Sequence, residues 1–184
     1  MLAASPGVAR HQAGSGAERQ TATDHFFPEI SHYLYEGDTA LHMAAAGGRT
    51  GIVAALIAAG ADVGARNRRG AEPLHYACDA SPGAPHWNPS AHAAVVALLI
   101  AAGADPNARD RSGVAPLHRA IRAPCAAAVE ALLRGGADAG SPNGRGSTPL
   151  KLATANTGRS GSGSPEARAE QAEILERLEA HLAR

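Results

Sequence analysis

The stretch Gly103-Ala104-Asp105-Pro106-Asn107-Ala108-Arg109-Asp110-Arg111-Ser112-Gly113-Val114-Ala115-Pro116-Leu117-His118-Arg119-Ala120 sets the pattern for the rest of the chain. It reads as a turn, a projecting finger, a second turn and the start of a helix. Its two ends recur. Leu-His stands at Leu41-His42, Leu74-His75 and Leu117-His118, and Leu150-Lys151 takes the same place later, in steps of 33, 43 and 33 residues. Gly-Ala-Asp stands at Gly60, Gly103 and Gly136, in steps of 43 and 33. Two independent markers share one period and one ten-residue excess, so the chain is an array of repeats with an insertion in one unit.

Between the markers the units read alike. Thr39 is a good helix N-cap, with Leu41 and His42 in the first turn. Gly47-Gly48 break that helix. Ile52, Val53, Leu56 and Ile57 have the spacing of one face of a second helix, and Gly60 ends it as a left-handed C-cap residue. Leu74 and His75, then Val95 to Ile100, mark the next pair, with the extra residues between them around Ser81 to Ala91. Leu117, Val129, Leu132 and Leu133 point inward in the third unit. Thr148-Pro149-Leu150 opens the fourth, with Pro at the first helical position. A Gly/Ser loop, Gly158 to Gly163, follows. Ser164-Pro165-Glu166 then starts a last helix to about Ala183. Its apolar face is Ile174, Leu175, Leu178 and Leu182, and Glu170, Glu173, Glu176 and Glu179 face largely away. Glu173 and Arg177 are four apart in the favourable order.

The pattern Asp-x-x-Gly-x-Thr-Pro-Leu-His-x-Ala, an apolar helix and then Gly-Ala-Asp resembles the ankyrin repeat, and the 33-residue step is that family's period. The resemblance covers residues 34–184. It implies an all-α solenoid of about four helix–turn–helix units with β-turn fingers. Inter-helix insertions, which can be helical, fall in repeats two and four. The repeats are expected at about 34–66, 67–109, 110–142 and 143–184, within a domain spanning 24–184. In such repeats the His of Thr-Pro-Leu-His bonds towards the next finger. His42, His75 and His118 each have a finger to follow, whereas Lys151 has none and suits a terminal unit. Glu72 and Ala115 replace the capping Thr. Ala115 is expected to cost about 1 kcal/mol at its helix start and to soften repeat three.

Residues 1–23 are rich in Ala, Gly, Ser, Gln and Arg without a period and read as a disordered tail. Asp24 can cap a short helix or turn holding Phe26, Phe27, Ile30, Tyr33, Leu34 and Tyr35. The cluster reads as a lid over the open end of the first repeat; the alternative is an aromatic docking patch. The 17 basic and 17 acidic residues leave no net charge, against broad attraction to nucleic acid. The two cysteines, Cys78 and Cys125, form no metal or redox motif and suit a reducing compartment. Met1 to Gln20 lacks the apolar run of a signal peptide, and no stretch reaches transmembrane length. The expectation is a soluble cytoplasmic protein with no membrane contact.

Chemistry finds little support. The sharpest metal candidate is the cluster Cys78, Asp79, His86, Trp87 and His92, whose Cys, His and carboxylate are zinc ligand types but whose spacing fits no zinc arrangement. The Gly158–Gly163 loop before a helix resembles a phosphate cradle, without the P-loop Lys-Ser/Thr. No nucleophile–base pair or paired carboxylate stands out. We expect no catalytic residue, no cofactor and no metal. The alternative is a small-ligand, anion or metal-binding regulator using the insertions near 79–92 and 157–164.

The fingers carry the functional signal. Asn67-Arg68-Arg69-Gly70, Asp110-Arg111-Ser112-Gly113 and Asn143-Gly144-Arg145-Gly146 share a turn position, with Arg66 and Arg109 flanking. Stacked fingers would align these arginines into a row. The resemblance implies partner contacts at the finger tips and the exposed end of each first helix. By position these are Tyr35, Glu36, Asp38, Arg66, Arg68, Arg69, Ala71, Asp79, Arg109, Arg111, Ser112, Val114, Arg122, Arg145, Ser147 and Asn156. The expected function is a scaffold-type protein–protein interaction module whose partner carries an acidic segment.

Overall fold

A computed structural model of the chain describes residues 6–18, 21–79, 82–84, 87–155 and 164–183. The four expected units are present. Each begins with a finger turn and continues into a short inner helix and an outer helix. The pairs are α1 (Ala40–Ala46) and α2 (Thr50–Ala58), α3 (Pro73–Ala77) and α4 (Pro89–Ala101), α5 (Pro116–Arg122) and α6 (Ala126–Arg134), and α7 (Pro149–Thr154) and α8 (Pro165–Leu182). Inner helices pack in the order α1–α3–α5–α7 and outer helices in the order α2–α4–α6–α8.

Local chemistry sets these boundaries. Pro opens α3, α4, α5, α7 and α8, where its missing N–H costs nothing. Side chains of Asn88, Thr148 and Ser164 accept from the backbone N–H three residues on. The outer helices α2, α4 and α6 end identically. Gly60 donates to Ile57 and Ala61 to Leu56, and the bonds repeat at Gly103 and Ala104 and at Gly136 and Ala137. This is the Schellman closure, and the glycines hold φ of +81°, +100° and +91°.

The core is layered. Leu41 and Leu56, Leu74 and Leu99, and Leu117 and Leu132 are buried one pair per unit, and Ile174 and Leu178 on α8 close the last layer. Each such side chain contributes about 1.5–3 kcal/mol by leaving water. Small residues such as Ala45, Ala77 and Ala120, all fully buried, let the layers approach. Ile52, expected inward, stands 52% exposed; the outer face of α2 has no neighbour there. Leu182 is half exposed at the fraying end of α8. Glu170 also departs from expectation. Its carboxylate accepts from Ala126 N at 2.6 Å and so caps the start of α6 instead of facing water. Arg177 pairs with Glu173 as expected and reaches Glu130 at 2.8 Å.

The N-terminal reading needs correction. Residues 6–18, expected to be disordered, form a 3-10 turn at Pro6–Arg10 and then run antiparallel to the first finger. Ala13 N donates to Asp38 O, Gly37 N to Ala13 O, and Ala17 N to Leu34 O. Arg10 Nε donates to Gly60 O at 2.8 Å, at the closed end of α2. The expected lid also differs. A 3-10 turn at Ala22–His25 leads into a hairpin of β1 (Phe26–Phe27) and β2 (His32–Tyr33). Of the apolar residues expected in the lid, Ile30 and Tyr35 pack on the core. Phe26, Phe27 and Tyr33 remain about 40% exposed, at 39%, 42% and 38%. The Gly158–Gly163 loop lies outside the described residues.

Candidate partner interface

The repeat histidines join one unit to the next. Each Nδ1 accepts from the backbone N–H three residues earlier, so the proton sits on Nε2 and is donated onward. His42 reaches Ala71 O at 3.1 Å, His75 reaches Val114 O at 3.0 Å and His118 reaches Ser141 O at 3.1 Å. Burial lowers the pKa of all three against the carbonyls that would raise it, and His75 falls to about 4. The imidazole also closes the N-cap of repeat three, since His118 Nδ1 accepts from Ala115 N at 3.2 Å. Ala115 thus keeps this closure without a hydroxyl.

Two of the predicted arginines are struts between fingers. Arg66 Nη2 donates to Arg109 O at 2.7 Å, while its Nε meets Glu72 at 3.0 Å. Arg109 Nη1 donates to Pro142 O at 2.8 Å and Nη2 to the Ser141 hydroxyl. Each binds the start of the next finger, where the chain needs its carbonyls satisfied. Arg68 donates to Ala17 O and lies 3.4 Å from Glu18. Arg69 sits over the Tyr35 ring with its guanidinium carbon 4.3 Å from the centroid, a cation–π contact.

Asp38 is a correction to the predicted surface. Its side chain has no exposure. It accepts from Tyr35 N at 2.6 Å, Asn67 Nδ2 at 2.8 Å and Tyr76 Oη at 2.9 Å. A buried carboxylate with three donors is a structural anchor, and it has nothing to offer a partner. Asp79 is likewise engaged. Arg119 Nη1 lies 2.6 Å from it and His32 Nε2 3.4 Å. Desolvation opposes its charge, but Arg119 and His32 override this and hold its pKa at about 2. Arg119 also meets Asp110 at 3.0 Å, so one guanidinium joins repeats two and three.

His32 rides on Tyr76 with ring centroids 4.2 Å apart. The hairpin therefore lies across the inner helices of repeats one and two and closes their face. The face of repeats three and four stays open. There Arg111, Ser112, Arg122 and Arg145 are exposed, and among the described residues no side-chain bond or ion pair engages these three guanidinium groups. Glu36 is exposed and its carbonyl accepts from Arg68 N. Ala71 is buried, Val114 and Ser147 are half-buried, and Asn156 lies outside the described residues.

Arg119, His32, Asn67 and Tyr76 went unread in the sequence. A signal existed for two of them. Arg119 and Tyr76 fill the repeat position that Met43 and Leu152 also hold, and a charge at an otherwise apolar position demands a partner. In the insertion, Cys78 is buried, Trp87 packs on the core and His92 Nδ1 bonds Ala77 O at 3.1 Å. His86 is outside the described residues. No group of three or more His, Cys, Asp or Glu able to hold a metal occurs among the described residues. No helix there is long and apolar enough to cross a membrane.

Three family models match the chain. One for ankyrin repeats (3 copies) covers residues 1–86, one for the single ankyrin repeat covers 69–111, and one for ankyrin repeats (many copies) covers 99–153. Among curated proteins, none matches the chain.

Proposed function

The chain belongs to the ankyrin repeat family, whose repeats are generally protein–protein interaction modules, and from that premise we propose that it binds a partner protein bearing an acidic segment through the open half of its finger row. One observation carries the reading. Among the described residues, Arg111, Arg122 and Arg145 project from repeats three and four without an internal counter-charge, whereas Arg66, Arg68, Arg69 and Arg109 are all engaged within the chain. A guanidinium left exposed and unpaired is ready for a bidentate carboxylate. Charge of one sign on one side of a neutral molecule also steers encounter and selects partners. The module works without chemistry of its own, by presenting a rigid edge.

The test follows from which arginines are spare. Reversing Arg111, Arg122 and Arg145 to Glu together should abolish capture of a partner from lysate and leave the melting curve in place. Reversing Arg68 and Arg69 is a poor test, because it removes the bond to Ala17 O and the contact with Tyr35. Undiminished capture by the triple variant would rule the open fingers out.

A further inference from the structure

Resting on the reading above, we propose that the partner surface continues from the arginines onto the N-terminal hairpin. It would take an extended segment with an aromatic or large apolar anchor at one end and acidic residues along the rest. Phe26 and Tyr33 lie with ring centroids 4.8 Å apart, and Tyr33 and Tyr35 lie 6.4 Å apart. Arg69 covers Tyr35, and Arg111 N bonds Arg69 O at 2.9 Å. The result is one stripe, aromatic at repeat one and cationic towards repeat four. The hairpin exposes Phe26 and Tyr33 side by side as cross-strand partners, with Phe27 exposed on the alternate face, on a chain with few aromatics. Clustered exposed apolar surface marks contact sites, and aromatic residues beside Arg are the usual binding hot spots.

Charge sets the direction of the occupant. Asp24, Glu29 and Glu36 are exposed around the aromatic end, so that end repels acid and suits an uncharged ring. The far end holds the unpaired arginines and suits carboxylates. Stacked helices lie about 8–10 Å apart, and a polyproline-II chain advances about 3.1 Å per residue with about three residues per turn, which puts an acidic side chain on the arginine side at every third residue. Single-stranded nucleic acid also stacks on aromatics. It brings a negative charge to every step, which the carboxylates at the hairpin oppose.

The experiment is fluorescence anisotropy on the full chain with labelled twelve-residue peptides. One carries a terminal Trp, at either end, and Glu at every third position; a second has Ser for Trp; a third has Gln for Glu. A twelve-base oligo-dT is the fourth probe. The Trp/Glu peptide, in one of its two orders, should bind about tenfold tighter than the Ser/Glu peptide, about 1.4 kcal/mol. The double variant Phe26→Ser/Tyr33→Ser should lose that tenfold and keep Ser/Glu binding. Both side chains are exposed, so its melting curve should match the parent. The variant Arg111→Glu/Arg145→Glu should lose both. Equal binding of the Trp and Ser peptides would overturn this inference alone. Binding indifferent to Glu would overturn the acidic-partner reading as well, and so would no binding by any peptide. Tighter binding of oligo-dT would overturn the peptide assignment.

Discussion

Repeats one and two and repeats three and four share a backbone plan but present opposite inner faces. Over the first pair the hairpin closes the surface, and Asp38, Tyr76 and Asp79 are spent on internal bonds. Over the second pair Arg111, Arg122 and Arg145 stand open. The difference teaches that position in the repeat does not decide a residue's role. What lies on top of it does. Asp38 and Val114 hold the same repeat position, yet one is a buried hub and the other is half-buried with no hairpin over it.

Arg119 is where the closed and open halves meet, and its loss should have the largest effect. Arg119→Ala strands Asp79 and Asp110 without their cation and should cost roughly 3–5 kcal/mol in urea unfolding. A loss below about 1 kcal/mol would mean the halves are not joined there.

Acid should strike both halves, and the first harder, because the bridging histidines His42 and His75 lie there and, of that set, His118 alone lies in the second. A histidine whose pKa falls on folding contributes stability that is fully present above its unfolded value of 6.5 and is lost as pH drops towards its folded value. For His75 the window runs from 6.5 to about 4, worth about 3 kcal/mol at its lower end. His42 and His118 move in the same direction. The urea midpoint should therefore be flat above pH 7 and fall steadily below it; a flat profile down to pH 5 would contradict neutral, buried imidazoles.

Removing the hairpin's own latch should be milder and one-sided. His32→Ala should cost about 1 kcal/mol and speed amide exchange around Tyr76 and Asp79, with repeats three and four unmoved. Equal changes in both halves would erase the distinction between them. Smallest of all, Arg145→Ala should shift stability by less than about 0.5 kcal/mol, as befits an exposed side chain that bonds none of the described residues.

Much of this architecture was legible from residues alone. Leu-His and Gly-Ala-Asp gave the period, the insertion and the helix ends, because capping and C′ glycine are local chemistry. The onward bond of His42 and His75 followed from the family pattern. The antiparallel segment 6–18 was not legible. Ala13 and Ala17 hold it by backbone bonds, which leave no hydrophobic rhythm to read. The arginines were seen as a row but not sorted. Arg66 and Arg111 look the same in a turn sequence, and it is the Arg109 carbonyl at 2.7 Å and Glu72 at 3.0 Å from Arg66 that separate strut from free cation.

The struts run only so far. Arg66 grips the second-to-third junction and Arg109 the third-to-fourth. The next place in that series is Pro142, which has no side-chain donor. Stretched between its two ends in an optical trap, the chain should therefore not give way at random. The fourth unit, whose own strut position carries no donor, should rip away first, leaving a shorter stack that still bears load.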